Sequence, residues 1–305
     1  MPAIVVVGSI NMDLVARMSR LPRPGETVHG DEFRTVPGGK GANQAVAASR
    51  LGAQVTMIGR VGDDAFGDSL RQSLLNYGVA TQCVLRTPNC SSGVALIGVE
   101  ASGANSISVI AGANGRLTPA DVLDRSTVIA GADVLIVQLE TPVETVAAAI
   151  KVARRHGVLT ILDPAPAPAG PLPRELLDVD VISPNQTEAE LLTGVAVSDL
   201  ASAERAAMLL QQAGASQVVL KLGELGAFIR DSENRTHHVS ADRVDVVDTT
   251  AAGDAFTAGL AVALAEKRPL VEATRFAGAA GTLACTVFGA QPAMPDRTAV
   301  EIFLK

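Results

Sequence analysis

Seven short, continuously apolar runs punctuate this chain: IVVV at 4–7, QVTMIG at 54–59, a stretch near 83–85, DVLIVQ at 133–138, VLTILD at 158–163, DVIS at 180–183 and QVVLKLG at 217–223. Helical patterns lie between them. ANQAVAASRLG (42–52) reads as a helix with Gly52 just past its end, and DAFGDSLRQSLLNYG (64–78) as another. TPVETVAAAIKVARRHG (141–157) carries fuller punctuation. Thr141 is placed to cap it, Pro142 to take the first helical position, Glu144 to complete a capping box and Gly157 to stop it. Strands that are apolar throughout, rather than alternating, are buried on both faces. The pattern therefore predicts an α/β fold, with a parallel sheet covered by helices on each side.

Two stretches break this rhythm. Residues 12–36 mix prolines with alternating apolar and polar positions. Residues 93–110, GVALIGVEASGANSISVI, read as a hairpin with ASGAN at its turn. Locally paired strands do not join a parallel core easily, so these two stretches are expected to form a small β-layer outside it, a candidate lid. DPAPAPAG (163–170) is a rigid loop after a strand end. No internal repeat or long linker divides the 305 residues, which fit a single large α/β unit, one domain over 1–305.

With 48% hydrophobic and 19% charged residues the chain has ample core and little tendency to disorder. A formal net charge of −7 without a basic cluster argues against a nucleic-acid surface. Cys83, Cys90 and Cys285 match no zinc spacing and read as reduced thiols. His29 and His156 stand alone, and His237–His238 reads as an exposed strand pair rather than a ligand pair. The first residues, MPAIVVVGSINMD, lack a basic region, and their apolar run is too short for a signal or a span. A soluble cytoplasmic protein without membrane or nucleic-acid partners is expected.

The chemistry concentrates past strand ends. VDTTAAGDAF (247–256) sets Asp248 and Asp254 around a run of small residues and opens an apolar helix, DAFTAGLAVALAEK. Free N–H groups at such a helix start, with Ala251, Ala252 and Gly253 leaving room, favour an anion. Asp254 reads there either as a helix cap or as a base beside bound phosphate. GGKGANQA repeats the device: Gly38, Gly39 and Gly41 allow close approach, and Lys40 and Asn43 can bond a ligand. Asn11, Asp13, Glu140, Asn185 and Glu188 also follow strand ends, where open α/β sheets bind ligands. No Walker A motif or dinucleotide fingerprint is present, since Lys40 is not followed by Ser or Thr and GSINMD has one glycine.

GGKGANQAVAASRLGA, VGDDAFG, NQTEAELLTG and DTTAAGDAF, in this order, resemble the ribokinase-like carbohydrate kinases of the phosphofructokinase-B family, and GSINMD, PGETV, GAN (112–114), QLETP and GAQPAMP extend the similarity over essentially the whole chain. The resemblance implies a three-layer sandwich with a mainly parallel central sheet and a β-lid that pairs between the subunits of a homodimer. It also implies phosphoryl transfer from MgATP to the 5-hydroxyl of D-ribose. On the family pattern Asp254 is the base, and the amides of Ala251, Ala252 and Gly253 form the anion hole. Asn11, Asp13, Gly39, Lys40, Asn43 and Glu140 match sugar-binding positions. Asn185 and Glu188 match a motif tied to magnesium and phosphate. Lys221, Leu222, Gly223, Glu224, Leu225 and Gly226 match a nucleotide loop, with Lys221 where threonine is common, and Gly278 lies near the adenine position. A potassium site would involve Asp248, Thr250, Ala284, Val287, Gly289 and Ala293, the last in place of a frequent serine. Kinases of deoxyribose, fructose or adenosine are the rivals within the class. A non-catalytic sugar-binding regulator is the rival outside it, although a pure binder needs no base.

Overall fold

A computed structural model of the chain describes every residue except Ala101 and Gly103. Thirteen strands are described: β1 (Ala3–Val7), β2 (Asn11–Met18), β3 (Gly30–Gly38), β4 (Gln54–Gly62), β5 (Val84–Thr87), β6 (Gly93–Glu100), β7 (Asn105–Ile110), β8 (Val134–Val137), β9 (Leu159–Leu162), β10 (Val181–Ile182), β11 (Gln217–Lys221), β12 (Ala227–Arg230) and β13 (Thr236–Val239). Nine of them form one sheet in the order β13-β12-β11-β10-β9-β8-β1-β4-β5. The pairings from β5 to β11 are parallel, as the continuous apolar runs require. β12 and β13 extend the edge antiparallel, a hairpin that the sequence reading left out beyond placing His237 and His238 on a strand. A five-residue connection from Arg230 to Thr236 is too short for a parallel crossover.

Successive residues of the central strands enter two separate cores. Ile4, Val6, Val134 and Ile136 pack with the helices Lys40–Arg50, Ala65–Asn76, Ala252–Ala265 and Leu270–Ala284. Val5, Val7, Leu135 and Val137 pack with the helices Val143–His156, Gln186–Thr193 and Leu200–Ala213 on the other face. The result is a three-layer α/β sandwich. Among the described residues, no helix is long and apolar enough to cross a membrane.

β3-β2-β6-β7 form a separate four-stranded sheet, the layer expected from 12–36 and 93–110. β6 and β7 pair antiparallel as a hairpin, and Ala101 and Gly103 of its ASGAN turn lie outside the described residues.

The helix punctuated by Thr141 corrects the sequence reading. It runs from Val143 to His156, with Pro142 as its N-cap residue and Gly157 in left-handed conformation at its end, as expected. Thr141 precedes the cap, and its hydroxyl finds no partner. Pro142 adopts extended backbone (ψ 134°), which carries Thr141 away from the first turn, so no capping box with Glu144 forms.

The helices Ala252–Ala265 and Leu270–Ala284 approach closely through small residues. A Cβ built on Gly259 would lie 3.0 Å from Ala277 Cα, and one on Gly281 would lie 3.1 Å from the Ala252 carbonyl oxygen. The second contact seats the turn that opens the buried helix. Gly259→Val should therefore overpack this crossing and destabilise the protein by about 1–3 kcal/mol, read by urea denaturation. An unchanged midpoint would show that the helices part without cost.

Candidate active site

The sheet order reverses around β1: its sequence neighbour β4 lies on one side and β8 on the other. The crevice at the carboxyl ends of such strands is where open α/β sheets bind ligands. Ser9–Asp13 after β1, Glu140 after β8, Asp163 after β9, Asn185 after β10 and Lys221 ending β11 all belong to this rim.

Asp254 occupies the first turn of the buried helix but does not cap it. The helix starts at Ala251 in left-handed conformation (φ 59°), with no side-chain cap. Asp254 instead accepts from Asn43 Nδ2 and Gln44 Nε2, each at 3.0 Å. Ala252 N–H donates to the Thr249 carbonyl over a long 3.3 Å, while Ala251, Gly253 and Asp254 N–H have no protein acceptor among the described residues. This is a helix N-terminus with free donors at the foot of a cleft.

The sugar-motif residues converge on the same cleft. Ser9 Oγ donates to Glu140 Oε2, which also accepts from Lys40 N–H at 3.1 Å. Asn114, of the GAN motif, clamps the segment after β1: its Oδ1 accepts from Ile10 N–H at 2.9 Å, and its Nδ2 donates to Asn11 Oδ1 at 2.7 Å. The glycines of the motif let the chain itself come close. A Cβ at Gly38 would meet Asp13 Oδ2 at 2.2 Å, one at Gly39 (φ 89°) would meet Asn11 N at 2.7 Å, and one at Gly41 would meet Ser9 N at 2.7 Å.

So much buried carboxylate has electrostatic consequences. Burial, with Asp163 adding repulsion, pushes Asp254 up to about 6, although Lys40 and the two amide donors oppose it. Burial, Glu140 and Asp254 push Asp13 up to about 7. Burial works against the Lys40 ammonium, but Asp254, Asp163, Glu140 and Glu188 outweigh it and hold Lys40 above its usual range.

Asn185 and Glu188 form a reciprocal capping box for Gln186–Thr193, with Asn185 N–H donating to Glu188 Oε2 at 2.8 Å and Glu188 N–H to Asn185 Oδ1 at 2.8 Å. Burial nevertheless raises the Glu188 carboxyl above its ordinary range. The 222–226 loop is closed by Leu222 N–H donating to the Gly226 carbonyl at 2.8 Å. It buries Leu222 and exposes Glu224 and Leu225. Gly278 has no heavy atom within 4 Å of the position of a Cβ, so that face of its helix is open.

Asp248 links two loops. Its Oδ1 accepts from Thr250 N–H (2.9 Å) and Oγ1 (2.7 Å), and its Oδ2 accepts from Gly289 N–H at 2.9 Å. These bonds overcome burial and keep the carboxyl below its ordinary range. Ala284 and Ala293 are buried beside this junction in sequence, while Val287 is exposed.

Four participants escaped the sequence reading: Ser9, Gln44, Asn114 and Asp163. Gln44 Nε2 donates to both Asp254 Oδ1 (3.0 Å) and Asp163 Oδ2 (2.8 Å). Asp163 Oδ1 in turn accepts from Lys221 Nζ at 2.8 Å. Gln44 adjoins Asn43 in its motif and Asp163 follows a strand end, so position offered a signal for both.

Residues 1–297 match the pfkB family of carbohydrate kinases. The chain is 43% identical over 302 residues to the ribokinase of Bacillus subtilis, with 99% of each covered. It is 41% identical over 260 residues to the deoxyribokinase of Salmonella typhi, spanning 83% of this chain and 82% of that one. The structure of Arabidopsis thaliana ribokinase complexed with ribose and ATP superposes with a TM-score of 0.93 at 36% identity, covering 100% of this chain and 99% of that one. The chain belongs to the pfkB family of carbohydrate kinases.

Proposed function

We propose that this protein phosphorylates D-ribose at its 5-hydroxyl, using ATP. The observation that carries the reading is Asp254: a buried carboxylate beside unpaired helix-end amides, held by Asn43 and Gln44. Those parts match what phosphoryl transfer requires, namely positioning, charge stabilisation and a proton acceptor. As the sugar oxygen forms its bond to the γ-phosphorus, its proton passes to Asp254, and the bond from that phosphorus to the β-phosphate oxygen breaks to release ADP. The free amides at 251, 253 and 254 face the developing charge. A carboxyl that titrates near 6 is a serviceable base at neutral pH.

Asn11, Asp13, Gly39, Lys40, Asn43 and Glu140 are assigned to the sugar, and the 221–226 loop and Gly278 to the nucleotide. Magnesium suits a site where the nucleotide phosphates supply most of its ligands, with the Glu188 carboxylate reaching it through water; bound there, it would neutralise phosphate charge. Potassium suits the Asp248 junction, where an ionised carboxylate adjoins Thr250 and Gly289, and backbone carbonyls of Thr250 and the 284–293 segment would supply its remaining ligands.

The single kinase unit, 1–305, is assigned to the cytoplasm, where ATP and reduced thiols coexist. Its lid exposes Ile107 and Val109 on one face and Phe33 and Leu96 on the other, apolar surface suited to pairing with a second copy.

Asp254→Asn should lower kcat by roughly 10²–10⁴-fold while ribose and ATP still bind. Near-normal turnover would remove the base from the scheme. The same variant tests the titration. Native Asp254 keeps its proton up to about 6, against an ordinary value of 3.8. Between these values the folded state binds the extra proton, so this group makes stability fall as pH rises through the window. The variant should therefore melt higher than the parent at pH 8 and show no such gain at pH 4.

Ribose should be preferred to 2-deoxyribose, because a missing hydroxyl leaves a buried partner unsatisfied at about 1–3 kcal/mol. Asp13→Ala should depress kcat/KM for ribose far more than ATP affinity. A panel of ribose, deoxyribose, fructose and adenosine reads both, and equal efficiency for the two pentoses would overturn the assignment.

At constant ionic strength, potassium should raise turnover over sodium, and Asp248→Ala should abolish most of that rise in a folded protein. Turnover indifferent to the cation would place no functional ion at this junction.

A further inference from the structure

Lys221 ends β11, and its backbone N–H donates to the Pro184 carbonyl at 2.8 Å, which sets it beside Asn185. Its side chain is only 12% exposed. The ammonium lies 2.8 Å from Asp163 Oδ1, and Asp163 is itself 2% exposed. From the other side, a Cβ built on Gly253 would sit 3.7 Å from Lys221 Nζ. The ammonium thus stands between a buried carboxylate and the free N–H groups that open the helix. An ammonium has three donors, and Asp163 takes one. The other two have no acceptor among the described residues.

The charge around it gives the arrangement a purpose. Asp13, Glu140, Asp163, Glu188 and Asp254 bring five carboxylates into one electrostatic cluster, against the two ammonium groups of Lys40 and Lys221. A cleft with that excess repels a polyphosphate. Lys40 shares its charge among Asp254, Asp163, Glu140 and Glu188, whereas the Lys221 ammonium stands next to the helix-end amides at Gly253. Asp163 reaches both the ammonium and, through Gln44 Nε2, the base.

We propose that Lys221 is a catalytic residue of the transfer, its ammonium held by Asp163 so that the two remaining donors meet the phosphoryl group as it passes over Gly253. Asp163 is the positioning residue. It fixes the ammonium before the nucleotide arrives and keeps it from relaxing outward along β11. This rests on the kinase reading above, and a lysine suits the task because it is a point charge that binds phosphate without demanding a planar partner.

The alternative role for the pair is mutual neutralisation in the fold. Lys221→Met alone strands a buried carboxylate and lowers stability under either role. The double variant Lys221→Met/Asp163→Asn removes both charges and separates the two. It should recover most of the melting temperature lost by the single variant, yet kcat should stay about 100-fold below the parent in both, with KM for ribose within a few-fold. Binding of ADP with magnesium and aluminium fluoride, a mimic of the phosphoryl in flight, should weaken at least tenfold more than binding of ADP with magnesium alone in both variants. The fluoride measurement needs no turnover. A parent protein that phosphorylates no sugar in the panel would sink the substrate assignment and leave this comparison readable. A double variant with parental kcat and parental affinity for the fluoride complex would overturn the proposal and make the pair a structural one.

Discussion

One amide nitrogen, Gln44 Nε2, holds two buried carboxylates together: Asp163 and Asp254. Unbridged, they would repel across a medium that screens poorly. The amide places a donor between them, and Gln138 Nε2 donates to Gln44 Oε1, which fixes which end of the Gln44 amide faces the pair. Lys221 and Lys40 supply the compensating charge from either side. The helix Ala252–Ala265 can then point its N-terminus into the cleft while its flanks stay apolar and buried. Without that bridge Asn43 alone would define the direction of the Asp254 carboxylate.

The large sheet was legible because burial on both faces leaves a simple mark, an apolar run without alternation. The lid was legible for other reasons: residues 12–36 alternate, and 93–110 set a turn between two strand-like runs. The turn at 248–254 could be suspected from its want of bulk, but whether Asp254 caps its helix or faces a ligand was undecidable there. Both roles place a carboxylate in a first turn, and only Asn43 and Gln44, 211 and 210 residues away, separate them. The same limit hid the link between Asp163 and Lys221, which lie 58 residues apart. Thr141 failed for a local reason, since the motif was present but the proline took the cap's place. Asn185 and Glu188 show the converse, a motif quoted for its chemistry whose atoms also build a capping box.

The glycines of the 38–41 segment were read as room for a ligand, and the structure shows that much of this room is filled by the protein. Asp13, Asn11 and Ser9 press against the places where Cβ atoms would be. A side chain at any of these positions would push apart the segment after β1 and the helix Lys40–Arg50, which carries Asn43 and Gln44. The glycines thereby set the distance between the segment after β1, proposed to bind the sugar, and the Asp254 carboxylate, proposed to accept its proton.

The first rung of the β2–β3 ladder pairs Asn11 with Gly38, and the third pairs Asp13 with Val36. The four-stranded sheet is therefore rooted in the very residues that would hold the sugar, without any intervening hinge loop on that side. Its fulcrum is the floor of the site. Any tilt of the sheet is at once a displacement of Asn11 and Asp13, and a sugar that grips these two side chains restrains the whole sheet out to the apolar strip at Ile107 and Val109. A second copy seated on that strip would, by the same leverage, register what its neighbour has bound.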